Sequence, residues 1–227
     1  MGKGQMPGID ADQYRQGGET PLVEVDRPHG DASVSLILAH GAGAPMDSPF
    51  MQAITERLVA RGVAVFRFEF AYMAERRKDG RRRPPNPQAR LLEQWRDVYA
   101  LVRQQTAGRL AIGGKSMGGR MASLLADELQ ADALICLGYP FHPAGKPEKP
   151  RVAHLADLRT PTLIIQGERD ALGDRETVAG YALSTAVAVH WLTAADHDLK
   201  PLKRSGLTHE QHLDSAADRI AELLQRL

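Results

Sequence analysis

Short apolar runs alternate with amphipathic segments along most of the chain. The apolar runs have the length and composition of buried strands, and they cover residues 34–39, 63–70, 110–113, 133–137, 162–166 and 187–192. Between them, apolar residues recur at helical spacing, most clearly over 91–104, after Ser116 and from about Thr208 onward. Strands that alternate with helices form parallel sheets that are covered on both faces. The pattern therefore predicts an α/β fold with a mostly parallel central sheet and helices on both faces.

The length and local composition predict how the chain is organised. Its 227 residues fit a single domain, 1–227. Residues 1–30 are polar and glycine-rich, which predicts an irregular segment with an edge strand at about Leu22–Val25. Residues 73–90 are basic and rich in proline, which predicts a loop. Three interpretations of this loop stay open: a lid that contacts an anionic substrate, a solvated charged loop, or a nucleic-acid patch.

Charge and cysteine content narrow the class of protein. Lysine plus arginine number 29 and aspartate plus glutamate 28, so the overall charge gives no reason to expect a nucleic-acid or membrane partner. The single cysteine, Cys136, lies in an apolar run, which excludes an intramolecular disulfide and favours a reducing compartment. The first residues lack the apolar core of a signal peptide. We therefore expect a cytoplasmic protein, whose oligomeric state the sequence leaves open.

The most informative motif lies at residues 111–120, which read Ala-Ile-Gly-Gly-Lys-Ser-Met-Gly-Gly-Arg. They place Gly-x-Ser-x-Gly between a predicted strand and a predicted helix, the pattern of a nucleophile elbow. One alternative is a glycine-rich turn whose serine has no catalytic role. A phosphate-binding loop is the other, but its motif requires glycine where this chain has Arg109.

The positions of one carboxylate and one histidine complete a candidate catalytic triad. A serine nucleophile needs a general base, which is usually a histidine oriented by a carboxylate. Asp170 follows the predicted strand 162–166, and His197 follows the next predicted strand. The carboxyl ends of parallel strands share one edge of the sheet, so we predict that Ser116, His197 and Asp170 meet there. Glu168 and Asp174 stay open as alternative carboxylates, and His197 has the alternative of a surface histidine.

Backbone N–H groups near Ser116 would stabilise a developing oxyanion. Met117 supplies one such group, because it follows the serine directly. The second comes from the loop after the first parallel strand, where we predict Ala42 together with Gly41, with Gly43 as an alternative. His40 begins this loop, and we expect it to shape the loop rather than act as a base.

Four further side chains are candidates for contact with the substrate. Lys115 precedes the serine, and Tyr139, Phe141 and His142 follow the strand after the Ser116 helix. The alternative for these last three is a proline-rimmed loop that packs on itself. We expect no metal and no cofactor, because histidines and cysteines do not occur at metal-ligand spacing.

With these residues placed, the chain resembles the α/β-hydrolase superfamily over nearly its full length. Within it, the chain is most similar to a small bacterial branch related to testis-expressed protein thirty and to subunit three of the NSL complex. The stretches that carry the resemblance are residues 38–43, 113–120, 138–143 and 195–198. The resemblance implies an α/β-hydrolase fold with an intact triad, and it implies no particular substrate.

We therefore expect a serine hydrolase that cleaves an ester-like bond of a small acyl substrate through a covalent acyl-enzyme. An anionic substrate, a thioester and an amide all stay open. No long insertion lies between Leu137 and Thr162, so we expect a minimal cap. The alternative function is a non-catalytic binding scaffold with the same fold, which would contact a partner through the basic loop.

Overall fold

A computed structural model describes residues 3–5, 21–30, 32 and 34–227. Within these residues, eight strands form one sheet in the order β1-β2-β4-β3-β5-β6-β7-β8. Their bounds are β1 Lys3–Gln5, β2 Val23–Asp26, β3 Val34–Ala39, β4 Val63–Phe68, β5 Arg109–Lys115, β6 Leu134–Leu137, β7 Thr162–Gly167 and β8 Val187–Leu192. Strands β3 to β8 are parallel, whereas β2 pairs antiparallel with β4 and with β1. The predicted mostly parallel sheet is confirmed.

Helices cover both faces of this sheet. The described part of the chain contains six α-helices, α1 Pro49–Ala60, α2 Ala71–Asp79, α3 Gln88–Arg103, α4 Met117–Ser123, α5 Arg175–Ala179 and α6 His209–Arg226. It also contains 3₁₀ turns at Ala153–Ala156 and Lys203–Ser205. Successive side chains of a strand point to opposite faces. Ile37 of β3 accordingly packs with the apolar residues of α3 and α4, whereas Leu36 and Leu38 pack with those of α1 and α6. The predicted α/β class, with helices on both faces, is confirmed.

The parallel strands bring the candidate residues to one edge. Ala39, the last residue of β3, lies opposite Gly114 of β5, so the loop after β3 runs beside the loop that carries Ser116. The segments with Asp170 and His197 follow β7 and β8, the next strands of the same parallel series. Sheet topology alone therefore places all of these loops at the carboxyl edge.

The basic stretch 73–90 is not the loop that the sequence predicted. Helix α2 extends to Asp79, and α3 already begins at Gln88, so only residues 80–87 are irregular. Residues 71–79 contain neither glycine nor proline, which would interrupt a helix. The helix ends at Gly80, which has a positive φ of 72°, a conformation that is common at the carboxyl ends of helices. Arg77 of this helix is bound by Asp47 and Glu69. These ion pairs hold the helical first half of the stretch that the sequence predicted as a loop.

The amino-terminal expectation changes in one respect. The strand predicted at Leu22–Val25 is β2, Val23–Asp26, but it is paired on both sides and is therefore not the edge of the sheet. The edge is formed by β1. Residues 1–2, 6–20, 31 and 33 lie outside the described residues, and so does that part of the irregular segment predicted for 1–30. Within the described residues, no helix is both long enough and apolar enough to cross a bilayer.

Candidate active site

Ser116 occupies a tight turn between β5 and α4. Its backbone has φ 52° and ψ −116°. Residues other than glycine rarely adopt this conformation, and where they do, the position is often functional. The neighbouring backbone is very close. A Cβ added to Gly114 would lie 2.6 Å from the Ala39 carbonyl oxygen, and one added to Gly118 would lie 2.6 Å from that of His40. Only glycine fits at these two positions, as the nucleophile-elbow pattern predicts.

The structure brings Ser116, His197 and Asp170 into one hydrogen-bonded chain. His197 Nε2 lies 2.9 Å from Ser116 Oγ, and His197 Nδ1 lies 2.7 Å from Asp170 Oδ2. The Asp170 carboxylate accepts hydrogen bonds only, so Nδ1 of a neutral imidazole donates to it. Nε2 is then left without a proton and accepts from the Ser116 hydroxyl. This arrangement is the one in which a histidine activates a serine as a nucleophile.

The two alternative carboxylates have other partners. Glu168 lies 2.9 Å from Arg175 Nη1 and accepts the N–H of Ala194. Asp174 caps α5 by accepting the N–H of Thr177 at 2.8 Å. Neither carboxylate contacts His197 within the residues that the structure describes. Asp170, which is completely buried, is therefore the carboxylate that this geometry places on His197.

Sequence reasoning missed one residue that contacts Asp170. Gln166 of β7 is completely buried, and its side-chain amide donates to Asp170 Oδ2 at 2.8 Å. The same amide donates to the Gly173 carbonyl and binds both the N–H and the carbonyl of Tyr139. Its signal in the sequence was a polar residue at the end of an apolar strand, four positions before Asp170.

The loop after β3 is held by two aromatic side chains. His40 accepts the N–H of Phe70 at Nε2, 3.1 Å away, so Nδ1 carries the proton and donates to the Gly41 carbonyl at 2.6 Å. Burial lowers the pKa of His40, in keeping with a neutral ring. The hydroxyl of Tyr72 donates to the Ala42 carbonyl at 3.0 Å. His40 thus shapes the loop, as expected.

The predicted oxyanion donors lie around the serine. A Cβ added to Gly41 would lie 3.7 Å from Ser116 Cβ, so the loop passes directly beside the nucleophile. Met117 is the first residue of α4, and the N–H groups of a first helical turn have no partner inside the helix. The assignment of Met117, Ala42 and Gly41 as oxyanion donors stays a prediction.

Lys115 contacts the histidine loop. Its side chain is buried, and Nζ donates to the His197 carbonyl at 2.7 Å and lies 3.5 Å from Asp198 Oδ1. Nζ also lies 5.5 Å from the ring centroid of Phe50. Burial lowers the pKa of this lysine. The ammonium group, which the sequence suggested for the substrate, is therefore engaged with the backbone of the proposed base.

The expected contact of Tyr139 and Phe141 with substrate is corrected. Both rings have no exposed surface and pack edge to face with centroids 4.9 Å apart. The Tyr139 hydroxyl donates to the Arg151 carbonyl at 3.0 Å. His142 is also buried, with Nδ1 2.9 Å from the Pro143 carbonyl. The segment packs on itself because its rings fill the core below the loop, which was the alternative interpretation.

No described group of three or more histidine, cysteine, aspartate or glutamate side chains has an arrangement that could hold a metal ion. Cys136 is a buried free thiol, and burial raises its pKa.

Comparison with known proteins finds one family and one fold. A family model described as an alpha/beta hydrolase domain matches residues 32–225. An α/β serine hydrolase without a lid from Xanthomonas campestris is 20% identical, with 88% of this chain and 89% of that chain covered and a TM-score of 0.64. Dienelactone hydrolase from Anabaena variabilis is 22% identical, with 91% of each chain covered and a TM-score of 0.68. An esterase domain from Rhodothermus marinus is 17% identical, covers 93% of this chain and 95% of its own, and has a TM-score of 0.68. At these identities the solved structures share the fold.

Proposed function

Because this chain belongs to the alpha/beta hydrolase family, we propose that it is a serine hydrolase that cleaves an ester-like acyl bond. One observation carries the proposal. It is the continuous hydrogen-bonded chain from Ser116 Oγ through His197 to the buried Asp170 carboxylate. The solved hydrolases with this fold are in keeping with that activity.

The reaction begins with acylation. Ser116 Oγ attacks the substrate carbonyl carbon while its proton moves to His197 Nε2, and the carbonyl π electrons move to oxygen. Asp170 stabilises the imidazolium that forms. The tetrahedral intermediate then expels the leaving group, which takes the proton from Nε2, and the acyl group stays on Ser116. Backbone N–H groups of Met117 and of Ala42 or Gly41 stabilise the oxyanion.

Deacylation repeats these steps with water. His197 Nε2 removes a proton from a water molecule, whose oxygen attacks the acyl carbon. Collapse of the second tetrahedral intermediate breaks the bond to Ser116 Oγ, which takes back the proton from Nε2. The carboxylic acid product leaves, and the hydrogen-bonded chain is restored. Thioesters and amides follow the same steps, so these residues do not select the leaving group of the acyl substrate.

The finer affiliation is part of the same proposal. The segment 138–143, Gly-Tyr-Pro-Phe-His-Pro, is the stretch that supports the branch related to testis-expressed protein thirty and NSL-complex subunit three. In this chain the side chains of Tyr139, Phe141 and His142 in this segment are buried. A segment shared across the branch for its packing would fit the affiliation as well as one shared for its chemistry.

A fluorophosphonate probe tests the nucleophile. We expect a single adduct on Ser116 by intact mass and peptide mapping, and none in Ser116→Ala. Ser123→Ala is the matched control: Ser123 lies 2.8 Å from His154 Nε2, but its hydroxyl donates to the Arg120 carbonyl. It should keep full labelling. A folded protein that takes no adduct would contradict the proposal and favour the non-catalytic scaffold.

A further inference from the structure

Two arginines near the proposed nucleophile have no acidic partner among the described residues. Arg57, Arg77 and Arg96 each lie within ion-pair distance of a carboxylate. Arg120 and Arg151 have no carboxylate at such a distance within the part of the chain that the structure describes. Both are only half-buried. The region around them therefore carries positive charge that the described residues leave uncompensated.

The guanidinium of Arg120 is poorly satisfied. Its Nε–H is buried and has no hydrogen-bond partner in the described structure, and Nη2 donates to the side-chain oxygen of Gln88 at 3.1 Å. Burial lowers the pKa of Arg120, and the charge of Arg151 acts in the same direction. A buried charged donor without a partner is costly. The described residues therefore give this guanidinium one neutral side-chain acceptor, that of Gln88, and no carboxylate.

Arg120 lies one helical turn after the proposed nucleophile. Its N–H donates to the Ser116 carbonyl at 3.0 Å, and four residues of helix span about 6 Å along the axis. Side chains of a helix lean toward its amino terminus, and the amino terminus of α4 is the end that carries Ser116. The contact with Gln88, the first residue of α3, places it at the same edge.

Two further features make this edge positive. The Arg151 N–H donates to the Phe141 carbonyl, and the Tyr139 hydroxyl donates to the Arg151 carbonyl, which ties Arg151 to the segment after β6. Helix α3 begins here with no acidic residue in its first turn and no side-chain cap. The amino terminus of a helix favours anions. Its dipole therefore adds to the charge of the two arginines.

We infer that Arg120 and Arg151 form a subsite for a carboxylate of the substrate, beside Ser116. The substrate class is then an ester that carries a second, unreacted carboxylate a few carbon atoms from the scissile bond. A guanidinium matches the two oxygens of a carboxylate through paired N–H groups. The subsite is distinct from the basic residues 76–83, and the inference rests on the proposed hydrolase function.

Two esters of equal length test the subsite. The probes are the 4-nitrophenyl monoester of glutarate and 4-nitrophenyl valerate, which differ by a carboxylate in place of a methyl group. We expect wild type to prefer the charged ester by about tenfold or more in kcat/KM. Arg120→Met should bring the ratio near one, chiefly through KM, and Arg151→Met should lower it several-fold. Arg120→Lys keeps charge without the paired N–H groups and should be intermediate.

Arg90→Met is the matched control, because Arg90 also lies at the start of α3 but is paired with Glu93. It should keep the wild-type ratio. A wild-type ratio near one, or an equal loss in Arg90→Met, would overturn the subsite while leaving the hydrolase intact. If neither ester is cleaved, calorimetric titration with glutarate tests the carboxylate subsite independently of the proposed hydrolase function. Binding that Arg120→Met abolishes would support the subsite, and no binding to wild type would overturn it.

Discussion

Gln166 donates to the same oxygen of Asp170 that receives the hydrogen bond from His197. The amide nitrogen of Gln166 lies 2.8 Å from Asp170 Oδ2, and His197 Nδ1 lies 2.7 Å from that atom. The other carboxylate oxygen accepts the N–H of Leu172 at 2.8 Å. The carboxylate is thus held from two sides, and Gln166 is a positioning residue for the proposed triad.

Replacing Gln166 with methionine should therefore disturb the orientation of the proposed base without contacting it. Methionine keeps the volume but removes the amide, so Asp170 loses one of the donors that fix its position beside His197. We expect kcat to fall by about tenfold with little change in KM. Gln225→Met, which removes an exposed side-chain amide of α6, should leave both constants unchanged. A fall in stability with unchanged kcat would indicate a purely structural role.

The choice of carboxylate can be decided by a pair of matched variants. Asp170→Asn removes the acceptor that fixes the imidazole, and we expect kcat to fall by about 10⁴-fold. Asp174→Asn alters only the cap of α5 and should cost at most about 1 kcal/mol of stability, with activity retained. Steady-state kinetics on both variants measures the difference. A larger loss of activity in Asp174→Asn than in Asp170→Asn would show that Asp170 is not the carboxylate that orients His197.

Lys115 should influence turnover rather than substrate affinity. Its ammonium binds the carbonyl of His197, so Lys115→Met frees the loop that carries the proposed base. We expect kcat to fall by about tenfold with little change in KM. Asp198→Asn removes the more distant partner, 3.5 Å from Nζ, and should have a small effect. A rise in KM with constant kcat would instead place Lys115 on the substrate.

Acid should destabilise the protein through His40. Burial lowers the pKa of His40 in the folded state, whereas the unfolded chain binds the proton near pH 6.5. Below that pH the unfolded state holds more protons, so the free energy of unfolding decreases as the pH falls, by at most about 1.4 kcal/mol per pH unit for one group. Urea unfolding at several pH values measures this slope.

A variant identifies the histidine responsible. His40→Gln should be less stable at pH 7, because the flexible amide of glutamine does not hold an acceptor at the position of Nε2, which binds the N–H of Phe70. Its slope below pH 6.5 should be shallower, because glutamine does not titrate. His29→Gln, at an exposed position, should retain the wild-type slope. An unchanged slope in His40→Gln would assign the acid sensitivity to other buried histidines.

Order along the chain and strand ends were sufficient to predict which residues meet at Ser116. The direction of a side chain was not predictable in the same way. Tyr139 and Phe141 do follow β6 at the expected edge, but their rings turn into the core, and only packing decides that. Gln166 was hidden for the converse reason, since a polar residue in a strand does not reveal its partner. Helix α2 was missed because its dense charges resemble a solvated loop.

The absence of side chains at Gly114 and Gly118 has a consequence for laboratory evolution. The backbone around the turn leaves no volume for even a methyl group, and overpacking of this kind is not relieved by small shifts. A combinatorial library that randomises these positions should therefore yield mostly misfolded clones. Diversity at Arg120 and Arg151 meets no such barrier. Libraries that aim at new acyl substrates should therefore keep both glycines fixed and vary Arg120 and Arg151.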